Sequence, residues 1–66
     1  MKNRIRVARA EVRMTQQQLA EAIGVSRQTI NAIESGKFVP STVLALKMAN
    51  LFGKPVEELF ILDDED

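Results

Sequence analysis

Arg27, Gln28 and Asn31 lie within one short run, "GVSRQTINAIESG" from Gly24 to Gly36, and they are the residues best equipped for chemistry in this 66-residue chain. An arginine can bond the edge of guanine bidentately, and glutamine or asparagine can do the same with adenine. The rest of the inventory leads away from catalysis. The chain has no histidine and no cysteine, so hydroxyls are its only nucleophiles and no imidazole is present to activate them. Thiolate and imidazole metal ligands are missing for the same reason. The terminal "DDED" has the wrong spacing and rigidity for a dedicated cation site, and no glycine-rich loop cradles a phosphate. The expectation is no enzyme, no cofactor and no metal.

Charge admits two readings equally, a polyanionic partner or a solubilising tail on an ordinary helical domain. All nine Lys and Arg fall at or before Lys54, against three acidic residues (Glu11, Glu21 and Glu34). The last twelve residues hold the other six acids and no base, so a zero net charge hides a basic body and an acidic end. No apolar run approaches the ~20 residues that a membrane span needs. The start, "MKNRIRVARAEVR", lacks the apolar centre of a signal peptide. A cytoplasmic protein without membrane contact is the default expectation.

The elements that must position the polar run are helical almost throughout. Asn3 can cap a first helix with Ile5, Ala8 and Val12 on one face. Thr15 with Gln18 forms a capping-box pattern that opens a second helix with Leu19, Ala20 and Ile23 inward. Gly24 fits just past its end. Ser26 caps a third helix, which buries Ile30 and Ile33 and stops at Gly36. After a loop through Pro40, Ser41 caps a fourth helix presenting Val43, Leu44, Met48, Leu51 and Phe52, ended by Gly53. Pro55 suits the first turn of a short fifth helix with Val56, Leu59 and Phe60. The fold is therefore all-α with five helices over residues 1–62, followed by an acidic tail, 63–66. The stretch 60–62 is the only one able to run extended.

A helix, a tight turn at Gly24–Val25 and a helix with a polar start make a helix-turn-helix. Ala20 suits the close crossing beside the turn. With Leu19, Ile23, Val25, Ile30 and Ile33 inward, Arg27, Gln28 and Asn31 must project outward, where a recognition helix meets the major groove.

The stretch "MTQQQLAEAIGVSRQTINAIESGKFVPS" resembles the Xre family of small regulators, related to the phage Cro and repressor DNA-binding domains. The resemblance runs from about Ile5 to Phe60. It implies a five-helix domain that binds double-stranded DNA as a homodimer and regulates transcription, most often by repression. It also implies that Arg27 and Gln28 read bases, with Asn31 a further reader, and that Gln16 bonds a phosphate and braces the recognition helix. Ser26, Thr29, Ser35 and Lys37 match positions near the DNA backbone. The helix-start amides around Thr15 and Ser41 add neutral phosphate contacts. Arg9 and Glu34 match a structural ion pair tying helix one to the end of helix three. Ala8 stands where relatives usually carry a larger residue, so Val7 is expected to compensate or the corner to be thinner.

Val56, Leu59, Phe60, Ile61 and Leu62 are more apolar surface than one short helix can bury. The resemblance makes this end the two-fold interface, with Leu59 in the core and Val56, Phe60 and Leu62 facing the partner copy. Two other readings differ in class. A protein-binding module, such as an antitoxin, needs a segment beyond the DNA-binding fold, and the chain has almost none. A sequence-specific RNA reader leans on exposed aromatics, and the only aromatics here are Phe38, Phe52 and Phe60.

Overall fold

The computed structural model describes residues 1–66. The helices are α1 (Ile5–Glu11), α2 (Gln16–Ile23), α3 (Arg27–Glu34), α4 (Thr42–Phe52) and α5 (Val56–Leu59). Capping signals stand at both ends of α2 and α4 and at the start of α3. Two short strands, β1 (Lys2–Asn3) and β2 (Phe60–Ile61), pair antiparallel with Lys2 opposite Ile61 and Asn3 opposite Phe60.

At the start of α2 the capping box is complete. Gln18 N–H donates to Thr15 Oγ1 at 3.0 Å and Thr15 N–H to Gln18 Oε1 at 2.8 Å. Ser26 Oγ accepts from Thr29 N–H, and Ser41 Oγ from Leu44 N–H, both at 3.2 Å. Each such cap is worth about 1 kcal/mol. Gly24 ends α2 with φ +78°, and its N–H and that of Val25 both reach the Ala20 carbonyl at 2.9 Å. Nothing lies within 4 Å of where a Cβ would stand, so the left-handed backbone alone calls for glycine there.

The turn after α1 uses Arg13 instead, the one non-glycine residue at positive φ (56°). An L-residue pays about 1 kcal/mol for that conformation. Arg13→Gly is therefore expected to raise the unfolding free energy by about 0.5–1 kcal/mol, measured by thermal denaturation. An unchanged or lower stability would show that the arginine side chain compensates for its backbone.

Nine apolar residues form the core, drawn from every helix: Ile5 and Ala8, Leu19, Ala20 and Ile23, Ile30 and Ile33, Met48, and Leu59. Met14, Val25, Leu44, Ala49, Phe52 and Phe60 pack around it. Ala20 is fully buried beside the α2–α3 turn, where a longer side chain would have to displace a neighbour. No helix is long and apolar enough to cross a membrane.

Several local expectations are corrected. Val12 lies at the C-cap of α1 and is 52% exposed, because the helix stops before its face would carry it inward. On α4 the buried stripe is Met48 with Leu44 and Phe52, one turn to either side. Val43 and Leu51 sit off that stripe and are exposed. Val7 is exposed too and does not fill the space beside Ala8. Phe60 leaves α5 and enters β2, and Pro55 is the N-cap.

Asn3 is strand, not cap, and Arg4 occupies the N-cap of α1 without a side-chain bond. The Asn3 amide nevertheless works at two ends. Oδ1 accepts from Ile5 N–H at 3.2 Å, and Nδ2 donates to the Ile33 carbonyl at 2.8 Å. The first strand thus ties the end of α3 to the start of α1. Residues 63–66 curl back over the same end, where Asp63 and Asp66 each place a carboxylate oxygen 3.1 Å from the Met1 ammonium.

Candidate nucleic-acid interface

On α3, residues 27, 28 and 31 fall within an arc of about 100° by helical geometry. All three are exposed, while Ile30 and Ile33 anchor another face in the core. The Arg27 guanidinium takes no part in the ion pairs that hold Arg6, Arg9 and Lys54. Ser26 and Thr29 flank it with their hydroxyl oxygens 3.0 Å apart. Ser35 Oγ donates to the Ala32 carbonyl at 3.2 Å, and the N–H groups of Lys37 and Phe38 return to that same carbonyl. This turn leaves the Lys37 side chain exposed just past the helix. Thr15 and Ser41 sit at the N-termini of α2 and α4, where the first N–H groups of each helix lack an intrahelical acceptor.

Behind the exposed face lies a charged cluster. Arg9 grips Glu34 bidentately, Nε to Oε2 at 2.6 Å and Nη2 to Oε1 at 3.1 Å. Its Nη1 donates to the Met14 carbonyl at 2.8 Å. The Glu34 side chain is 1% exposed and that of Arg9 15%. Arg6 adds a longer approach, 3.5 Å, from a largely exposed position. Burial is the largest single influence on the Glu34 carboxyl and pushes it up. The hydrogen bonds from Arg9 and Gln16, the Arg9 charge and the Arg6 contact outweigh it together and hold the group below the ordinary carboxylate value. The Arg9 guanidinium is correspondingly raised, chiefly by its hydrogen bond to Glu34.

Gln16 joins this cluster to the exposed face. Its Nε2 donates to Glu34 Oε1 at 3.1 Å and lies 3.4 Å from Asn31 Oδ1. The family resemblance implies that Gln16 braces the recognition helix but does not give these partners. Nothing in the spacing of residues 16 and 31 on separate helices announces them. Arg6 was also overlooked, although its position one turn before Arg9 on α1 is a readable signal.

Away from this face, Val56 and Phe60 are half-buried and Leu62 is 76% exposed. Val56 and Phe60 border a shallow groove with Val39, Pro40, Ala45 and Leu46. Val39 and Leu46 are themselves 62% and 57% exposed. Exposed apolar surface therefore extends from the α5 end onto α4, which the apolar count at residues 56–62 did not indicate.

Two helices joined by a glycine turn, with the second offering an exposed polar face, define a helix-turn-helix domain. A helix-turn-helix family model matches residues 5–59. An HTH-type transcriptional regulator of Methanocaldococcus jannaschii is 50% identical over 66 residues, covering all of both chains. One of Archaeoglobus fulgidus is 50% identical, covering all of this chain and 94% of the relative. The Bacillus subtilis HTH-type transcriptional regulator YgzD is 44% identical across the full length of both. The chain belongs to the Xre-type helix-turn-helix family of transcriptional regulators, a DNA-binding and typically non-enzymatic family.

Proposed function

We propose that the protein is a sequence-specific repressor that binds a near-palindromic operator as a homodimer in the cytoplasm. One observation carries the reading: Arg27, Gln28 and Asn31 stand together on the exposed start of α3, while Ile30 and Ile33 hold the helix against the core. In this reading α3 lies in the major groove and those three side chains meet base edges. Ser26, Thr29, Ser35 and Lys37, with the helix starts at Thr15 and Ser41, meet the phosphates on either side. The Gln16 amide stands at the same boundary. The apolar surface at Val56, Phe60 and Leu62, continued by Val39 and Leu46, packs against a second copy. Two recognition helices would then sit about 34 Å apart, one turn of the duplex.

The experiment is selection from random duplex DNA at two salt concentrations. Two inverted half-sites one turn apart support the proposal, and sequence-blind retention or none defeats it. Placing the selected site across a promoter then separates repression from activation.

Two substitutions divide the roles. Arg27→Ala is expected to cost about 1–3 kcal/mol on the selected site and to relax preference at one base position. Equal weakening on every duplex would remove Arg27 from base readout. Lys37→Ala is expected to weaken all sequences alike and to lower the salt slope by about one. A slope that stays put would take Lys37 off the phosphates.

A further inference from the structure

Gln16 is the one side chain that touches both the buried carboxylate of Glu34 and the exposed amide of Asn31. An ionised carboxylate only accepts hydrogen bonds, so an amide facing it must turn its NH2 inward. Glu34 Oε1 therefore fixes which end of Gln16 faces the protein. The second hydrogen of the same NH2 is then directed to Asn31, which must answer with its carbonyl oxygen. Asn31 Nδ2 is left as the group directed away from the protein.

We propose that Glu34 and Gln16 are positioning residues that set the polarity of Asn31, making it a hydrogen-bond donor toward DNA. The proposal rests on the reading of α3 as the recognition helix. At the base that Asn31 faces, a donor selects an acceptor on the major-groove edge: guanine N7 or O6, adenine N7 or thymine O4. It discriminates against cytosine, whose N4 amine is itself a donor. A second consequence concerns Gln16. Both of its N–H groups are directed inward, so its part in DNA binding is to orient Asn31 and not to hold a phosphate. Arg9, by gripping both Glu34 oxygens, fixes the plane of the carboxylate, and Oε1 is shared between Arg9 Nη2 and Gln16 Nε2.

The test compares wild type, Gln16→Met and Glu34→Gln by selection from random duplex DNA, with side-chain amide NMR on the same proteins without DNA. Gln16→Met keeps the stem and removes the relay. The single-position preference against cytosine, about five- to tenfold for one hydrogen bond, is expected to fall within about twofold, with every other position unchanged. Glu34→Gln removes the charge that holds the Gln16 NH2 inward and leaves one oxygen to serve the donors of Arg9, Arg6 and Gln16, so that amide is held less firmly and the same position is expected to relax. Melting curves report whether it remains folded. Uniform weakening with all base preferences intact would make Gln16 a phosphate contact and overturn the proposal. The NMR arm stands without any DNA site. The Asn31 side-chain amide resonances are expected to shift in both variants, and resonances unmoved in Gln16→Met overturn the relay. Failure of the wild type to enrich any sequence would instead fall on the recognition-helix reading, and the NMR result would still decide the relay.

Discussion

Arg9→Ala is expected to cost about 3 kcal/mol, because it leaves a side chain that is 1% exposed carrying a charge without its main partner. A chain of 66 residues has only about 3–10 kcal/mol of stability in total, so the loss is a large fraction of what exists. The variant also forfeits the bond from Nη1 to the Met14 carbonyl. Its pH dependence separates this mechanism from simple loss of packing. In the wild type Glu34 is held below its ordinary value of 4.5. The unfolded carboxylate thus binds protons first, and the stabilisation is fully present above about pH 4.5 and fades as pH falls through the folded value. In Arg9→Ala only the bonds from Gln16 and Arg6 still oppose burial, so the carboxyl moves up from its wild-type position. Protonation then relieves the variant, and the gap to wild type narrows in acid. Thermal denaturation from pH 7 down to pH 3 measures both. A cost below about 1 kcal/mol, or a gap independent of pH, would show that the pair adds little to this fold.

Leu46→Glu is expected to weaken self-association about 100-fold, since it sets a carboxylate into the surface assigned to the second copy. Leu46 is 57% exposed in the single chain, so the folded monomer should melt as before. Sedimentation at graded concentrations measures the association. Titration of the selected site measures its effect on DNA, where loss of the second half-site leaves only the affinity of one recognition helix. If Leu46→Glu leaves association untouched while Phe60 or Leu62 variants abolish it, the interface is confined to the chain's C-terminal end. If none of the three matters, the domain binds DNA without a partner copy.

The sequence was most legible where one residue answers to one local rule. Thr15, Ser26 and Ser41 cap the helices they were expected to cap, and Gly24 takes its left-handed turn. These signals depend on three or four neighbouring residues and survive whatever the rest of the chain does. Apolar spacing was a weaker guide. On α4 it marked Val43 and Leu51 as inward alongside Met48, because a helix that is apolar all round does not say which stripe meets the core. Of the β1–β2 ribbon only β2 was legible, within the stretch 60–62; β1 and the pairing escaped because a two-residue strand is too short to show alternation and its partner lies at the opposite end of the chain. At the candidate interface, the outward set on α3 followed from the inward one. For Gln16 the resemblance implied a brace to that helix, but its partners Glu34 and Asn31 were not legible, because they depend on how two helices cross and on which end of an amide faces a carboxylate.

The ribbon also divides the molecule by how readily its parts assemble. α2, the Gly24 turn and α3 are consecutive in sequence and pack against each other, so they meet at small loop-closure cost. The pairing of Asn3 with Phe60 closes nearly the whole chain and carries a larger loop-closure cost. Under stress the chain is therefore expected to open from its two ends inward and to keep α2 and α3 while its apolar end frays. If copies associate through that end as proposed, association lends order where the isolated chain has least, and protein concentration then sets the integrity of the ends before that of α2 and α3.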